Sequence, residues 1–134
     1  MTKPPSPRPL SIKILAILFA LAAIAFAFRL RSGATFAGDS ISGPPALIHN
    51  IIMALLQAYL AVGLWKLQEL ARRIAIGADC YGALTIILVI VRHPEVIANV
   101  AFMIFCTTQL TVIALAIWFL IKRKSAFVKP RTAP

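Results

Sequence analysis

Acidic residues are scarce in this sequence, and several other absences exclude most enzyme classes. The chain has four Asp and Glu residues against 14 Lys and Arg residues. No hydrophobic stretch holds the pair of carboxylates that general acid and base chemistry uses. The sequence also lacks a Ser/His/Asp grouping, a Cys-x-x-Cys pair and a phosphate-binding loop. We therefore expect a protein that is not an enzyme.

Cysteine is equally sparse, because two residues cannot build a disulfide framework. Counting helical rise places Cys80 and Cys106 about 9 Å apart along the membrane normal, beyond the usual Cα reach of a disulfide. We expect both to be small packing residues.

Apolar residues are abundant, at 60% of the chain, and they fall in four long runs. Each run can cross a hydrocarbon core roughly 30 Å thick. The prediction is an all-α integral membrane bundle of four transmembrane helices, antiparallel where adjacent in sequence. It forms one domain over residues 10–121, between an extended Pro-rich basic tail (1–9) and a second basic tail (122–134). The spans are residues 10–28, 46–67, 74–91 and about 96–121.

Positive charge is sorted around these spans. Eleven of the 14 Lys and Arg residues lie in the two tails, in the middle connection or at the adjoining ends of the spans, which share one side of a four-span protein. The positive-inside rule assigns that side, with both termini, to the cytoplasm. Trp65 and Trp118 lie at the cytoplasmic ends of their spans, where indole rings prefer to sit. Because the net charge of +10 flanks membrane spans, we expect no nucleic-acid partner.

The first span has a rival interpretation as a cleaved signal peptide, with Thr35-Phe36-Ala37 faintly resembling a cleavage site. Arg29 and Arg31 directly after the apolar run are unfavourable for export, so we expect the span to be retained. The connection 29–45 that follows is rich in Gly and Pro, and we expect turns there rather than regular structure.

The middle connection contains neither Gly nor Pro over residues 65–73, so we expect helix to persist past the membrane surface. There Glu69 can pair with Arg72 and Arg73 at i,i+3 and i,i+4. The run Gly63-Leu64-Trp65-Lys66-Leu67, followed by Ala71-Arg72-Arg73, resembles a motif of small, uncharacterised bacterial four-helix inner-membrane proteins, with Leu70 replacing their usual second aromatic. The resemblance covers roughly residues 58–90. It implies a bacterial inner-membrane protein of unassigned activity and carries no catalytic residues.

Asp79 is the only acid inside a predicted span, about 7–8 Å beyond Ile74 by helical rise. A buried ionisable residue of this kind marks a candidate functional position. We favour a structural role, in which Asp79 pairs with Arg72 or Lys66 and fixes the position of the helix. The alternative is a proton or cation site.

A second polar layer is expected near the bilayer centre, where Gln57, Gln109 and Thr85 each lie about 11 residues from a span boundary. Asn50 shares a helical face with Gln57, seven residues away. We predict that this face points into the bundle and that the amides bond across helices. The alternative is a polar pathway through the bundle.

The two histidines, His49 and His93, are expected near the outer surface. Imidazole can serve as an axial ligand to haem iron or chlorophyll magnesium. His93 precedes a proline in a short loop, so His49 is the better candidate for a cofactor.

These expectations favour a non-catalytic accessory or structural subunit of a larger complex in the bacterial inner membrane. Its partners would be membrane lipids and other membrane subunits. The alternatives are a small oligomeric transporter or channel using Asp79 and the midplane amides, and a pigment- or haem-binding subunit using His49. Basic side chains either contact anionic lipid or a partner, or only set topology. The residues predicted at that surface are Arg72, Arg73, Lys122, Arg123, Lys124, Trp65 and Trp118.

Overall fold

The computed structural model describes residues 8–127 and shows an all-helical chain. Four of its helices are long and apolar enough to cross a membrane, which confirms the predicted fold class. Residues 1–7 of the predicted N-terminal tail and residues 128–134 of the predicted C-terminal tail lie outside the described part of the chain. The elements are α1 (Leu10–Phe28), β1 (Ala34–Phe36), β2 (Asp39–Ile41), α2 (Pro44–Trp65), α3 (Glu69–Arg92), a 3-10 turn (Pro94–Ala98), α4 (Val100–Lys122) and α5 (Lys124–Phe127).

The connection between α2 and α3 departs from the predicted continuous helix. The Gln68 N–H donates to the Gly63 carbonyl at 2.8 Å, and the Leu67 N–H donates to the Leu64 carbonyl at 3.0 Å. With Leu67 in the left-handed region at φ 57°, these bonds form a Schellman stop. The helix therefore ends at Trp65, and the expectation of persistent helix was wrong for residues 66–68.

The first connection holds a short β-hairpin, which the sequence analysis missed. Strands β1 and β2 pair antiparallel, and two residues join them. Ala37 and Gly38 both have positive φ, at 50° and 88°, as a type I′ turn requires. The hairpin lies against the end of α3, because the Arg92 guanidinium pairs with the Asp39 carboxylate. The connection 29–45 was predicted to contain turns rather than regular structure, and this prediction was wrong for the two strands.

The buried apolar core lies at one end of the bundle, which we call the base. It is formed by the start of α1, the end of α2, the start of α3 and the end of α4. Arg8 lies over the ring of Trp65 at 5.2 Å, and Phe127 of α5 is buried in the same cluster. Both ends of the described chain therefore meet at the base. The buried apolar members are Ile12, Leu15, Ala16, Phe19, Leu60, Ala61, Leu64, Ala71, Ala75, Ala116, Leu120 and Phe127.

The helices pack as neighbours in chain order. Among adjoining long helices, contact is most extensive between α1 and α2 and least extensive between α1 and α4. Large apolar side chains on all four helices point outwards and are exposed, as expected for surfaces that face lipid. The ring of four helices is consequently least tightly closed between α1 and α4.

Candidate functional site

A cavity of about 530 Å³ lies inside the bundle, beyond the core and towards the hairpin. All four long helices line it, together with residues 33–35 beside strand β1. Most of the lining is apolar or aromatic, but the cavity also gathers the polar residues singled out in the sequence. These are His49, Asn50, Gln57, Asp79, Thr85 and Gln109.

Three helices place these polar groups at neighbouring levels. Asn50 and Gln57 lie two turns apart on α2, and both are buried. Asp79 is close to the midpoint of α3 rather than near its start, because the helix begins five residues before the predicted boundary. Gly82, one turn further on, has the Ile113 side chain 3.5 Å from where its Cβ would be. A Cβ there would make ordinary van der Waals contact, which shows that α3 and α4 lie close together beside the cavity.

Asp79 has no cationic partner among the described residues. Its Oδ2 is buried and makes no hydrogen bond there. The favoured interpretation, an ion pair with Arg72 or Lys66, was wrong. The physical reason is that another carboxylate and a helix end hold the Arg72 guanidinium.

Arg72 forms a clamp at the base of the bundle. Its Nε and Nη2 donate to the two carboxylate oxygens of Glu69, each at 2.7 Å. Its Nη1 donates to the Leu120 carbonyl at 3.3 Å, one of the last carbonyls of α4 that lack a partner within their helix. Arg72 is only 7% exposed, so its prediction as a lipid or partner contact was wrong. Arg73 also bonds Glu69, at 3.0 Å, but stays exposed.

The midplane amides do not bond to one another. The Asn50 side chain donates to the Arg29 carbonyl at 2.8 Å and the Ser32 carbonyl at 3.3 Å, which closes the end of α1. The Thr85 hydroxyl donates to the Tyr81 carbonyl on its own helix. Within residues 8–127 no bond joins amides across helices, so that prediction was wrong. The Gln57 amide therefore remains available to a ligand in the cavity.

His49 lies in the cavity wall at the hairpin end. The ring of Phe36 meets its ring edge to face, with centroids 6.2 Å apart. Neither ring nitrogen has a hydrogen-bond partner among the described residues. An axial histidine ligand usually donates its second N–H to an orienting acceptor, which His49 does not do here. The described part of the chain also holds no group of three or more metal-ligating side chains.

The base carries the exposed basic and aromatic residues. The Lys122 ammonium lies over the Trp118 ring at 4.6 Å, which pairs a cation with an indole at the expected interfacial level. Arg123 and Lys124 follow and are exposed. Both cysteines are free, with Cys106 buried and Cys80 exposed.

The polar residues that line the cavity were predictable from the sequence, but the apolar residues that form its walls were not. Phe19 of α1, Tyr81 of α3 and Phe105 of α4 all line the cavity. In the sequence they are ordinary members of apolar runs. The nearest signal was the pair of small residues Ala78 and Gly82 beside Asp79, which marks an inward face of α3.

Comparison with protein-family models, curated proteins and solved structures finds no match to this chain.

Proposed function

We propose that this protein binds a small solute in the cavity and works as a small membrane transporter. One observation carries the proposal: Gln57, Asp79 and Gln109 reach one cavity from three different helices. A half-buried carboxylate with one enclosed oxygen would be expected to have a partner in a bundle that only packs. Asp79 has none among the described residues, so a ligand is the natural source of one.

The proposed setting is the bacterial cytoplasmic membrane, with the base on the cytoplasmic side and no catalytic role. The exposed Lys122, Arg123 and Lys124 at the base support this orientation. The core then closes the cytoplasmic end, and the cavity extends towards the hairpin on the other side. A transport cycle would need a second state in which the base opens.

Cysteine labelling at one membrane depth tests the proposal. In a background with Cys80 and Cys106 changed to Ala, Gln57→Cys places a thiol in the cavity. Leu55→Cys, two residues away, places one on the outer face, where Leu55 is 67% exposed. We expect a water-soluble methanethiosulfonate to label the Gln57→Cys variant at least tenfold faster, because thiolates form in water and not in lipid. Equal rates would overturn the proposal.

An accessory subunit of a larger complex is the second candidate. The apolar windows of α3 and α4 are only 6% and 11% buried within the chain, against 22% and 33% for α1 and α2. This unequal burial leaves an extensive apolar face on α3 and α4, which suits neighbouring membrane subunits as well as lipid. Purification in a gentle detergent followed by mass spectrometry tests it. Stoichiometric recovery of other membrane subunits supports this function, and recovery of the chain alone contradicts it.

A further inference from the structure

We propose that the ligand of the cavity is a monovalent organic cation with an apolar body. This inference deepens the proposed solute-binding function and rests on it. The observation behind it is the juxtaposition of one unpartnered carboxylate with apolar and aromatic walls in a single cavity.

The charge of the cavity sets the charge of the ligand. Asp79 is the only one of the four acids that lines it. The other charged or titratable groups in the lining are Arg29, His49 and Tyr81, of which Arg29 and His49 lie at the hairpin end. Arg29 is the exposed residue at the end of α1, so solvent and salt screen its charge. A single carboxylate with no basic side chain nearby can neutralise one positive charge on the ligand.

Arg72, two turns before Asp79 on the same face of α3, cannot supply that charge from within the protein. Its guanidinium is held by both oxygens of Glu69 and by the Leu120 carbonyl. Reaching Asp79 would require breaking all three bonds. The carboxylate in the cavity therefore remains available to a cation that comes from outside.

The walls favour a ligand with an apolar body. Phe19, Ile86 and Phe105 come from three helices and surround the polar groups, and aromatic faces also attract cations. A volume of about 530 Å³ lies within the range of sites for drug-sized molecules, and far exceeds what a bare metal ion needs. Gln57 and Gln109 add uncharged groups that orient a polar substituent.

Access through the bundle wall fits the same class of ligand. Leu18 of α1 and Phe105 of α4 both line the cavity, and both are substantially exposed on the outside. They belong to α1 and α4, the adjoining long helices that contact each other least. An amphiphilic cation dissolved in lipid would meet this side first.

A pair of ions with the same shape and opposite charge tests the inference. Equilibrium dialysis of the purified full-length protein would compare tetraphenylphosphonium, tetraphenylborate and the neutral triphenylphosphine oxide. We expect tetraphenylphosphonium to bind at least tenfold more tightly than either of the others. Equal binding of the two ions, or no binding of tetraphenylphosphonium, would overturn the inference.

Three variants test whether the selectivity comes from Asp79. Asp79→Asn should weaken tetraphenylphosphonium binding at least tenfold, and Asp79→Glu should keep the preference for the cation. Glu95→Gln makes the same change of charge at a side chain that is 71% exposed, outside the cavity, and should bind as the unmodified protein does. Unchanged binding by Asp79→Asn would refute the role of Asp79.

The thiol-labelling experiment separates failure of this inference from failure of the proposed function. If the Gln57→Cys variant is labelled quickly but tetraphenylphosphonium does not bind, the cavity is accessible and only the class of ligand is wrong. If, in addition, the Gln57→Cys variant is labelled no faster than the Leu55→Cys variant, both proposals are refuted.

Discussion

Gly63 is the residue on which the tight turn between α2 and α3 depends most directly. A Cβ added at Gly63 would lie 2.3 Å from the Cβ of Ala71. Carbon atoms in contact normally stay about 3.5–4.0 Å apart, so the Gly63→Ala variant must separate the two helices by more than about 1 Å. Neither atom belongs to a flexible side chain, and no rotamer change can relieve the clash.

The expected loss follows from two opposing effects. Overpacking costs about 1–3 kcal/mol, and a clash between two Cβ atoms should fall in the upper part of that range. Replacing a helical Gly by Ala returns about 0.5–1 kcal/mol through helix propensity. We therefore expect Gly63→Ala to lower the free energy of unfolding by about 1–2 kcal/mol.

Gly77 provides the matched control, because a Cβ added there meets nothing within 4 Å. Gly77→Ala should gain up to about 1 kcal/mol, and the difference between the two variants isolates the clash. Unfolding in mixed micelles of dodecyl sulfate, followed by far-UV circular dichroism, measures both. The double variant Gly63→Ala with Ala71→Gly should recover most of the loss. If Gly63→Ala and Gly77→Ala agree within about 0.5 kcal/mol, the close approach of the helices is refuted.

Two further substitutions test the clamp and the hairpin. Glu69→Ala leaves the Arg72 guanidinium buried without its carboxylate and should cost about 2–3 kcal/mol in the same unfolding assay. Arg73→Ala removes only an exposed partner of Glu69 and should cost less than about 0.5 kcal/mol; equal losses would contradict the clamp. Gly38→Ala forces a side chain into a positive φ, 3.1 Å from the Leu88 backbone, and should cost about 1–2 kcal/mol. Hydrogen exchange in the hairpin should then be faster, and unchanged exchange would argue against its docking on α3.

The four spans were predictable because each is a long apolar run, and such runs have few alternatives in a membrane. The end of α2 was not predictable, since it depends on Leu67 adopting a left-handed conformation that usually falls to Gly. The hairpin was missed for a related reason. Its strands have three residues each, and Ala37-Gly38 is a weaker turn signal than Asn-Gly or Asp-Gly.

For the candidate site, too, features set by nearby residues were predictable, whereas contacts between different helices were not. Counting helical rise identified Asp79, Gln57 and Gln109 as polar groups within the spans. The pairing of Glu69 with Arg72 and Arg73 followed from their i,i+3 and i,i+4 spacing and is confirmed. The Leu120 carbonyl that also holds Arg72 comes from another helix, and no pattern within α3 contains it. The cavity likewise depends on how four faces meet.

The buried core and the Arg72 clamp lie at the base, with the proposed binding cavity between them and the hairpin, and this arrangement constrains how the proposed transport cycle can work. The base holds the buried apolar core and the Arg72 clamp, so opening it would expose apolar surface and break charged bonds together. The contact between α1 and α4 is the least extensive among adjoining long helices, so we expect it to change at the lowest cost. We therefore expect ligand exchange to begin between α1 and α4, with the base as the slow step. Substitutions in the clamp should then alter transport rate more than binding affinity.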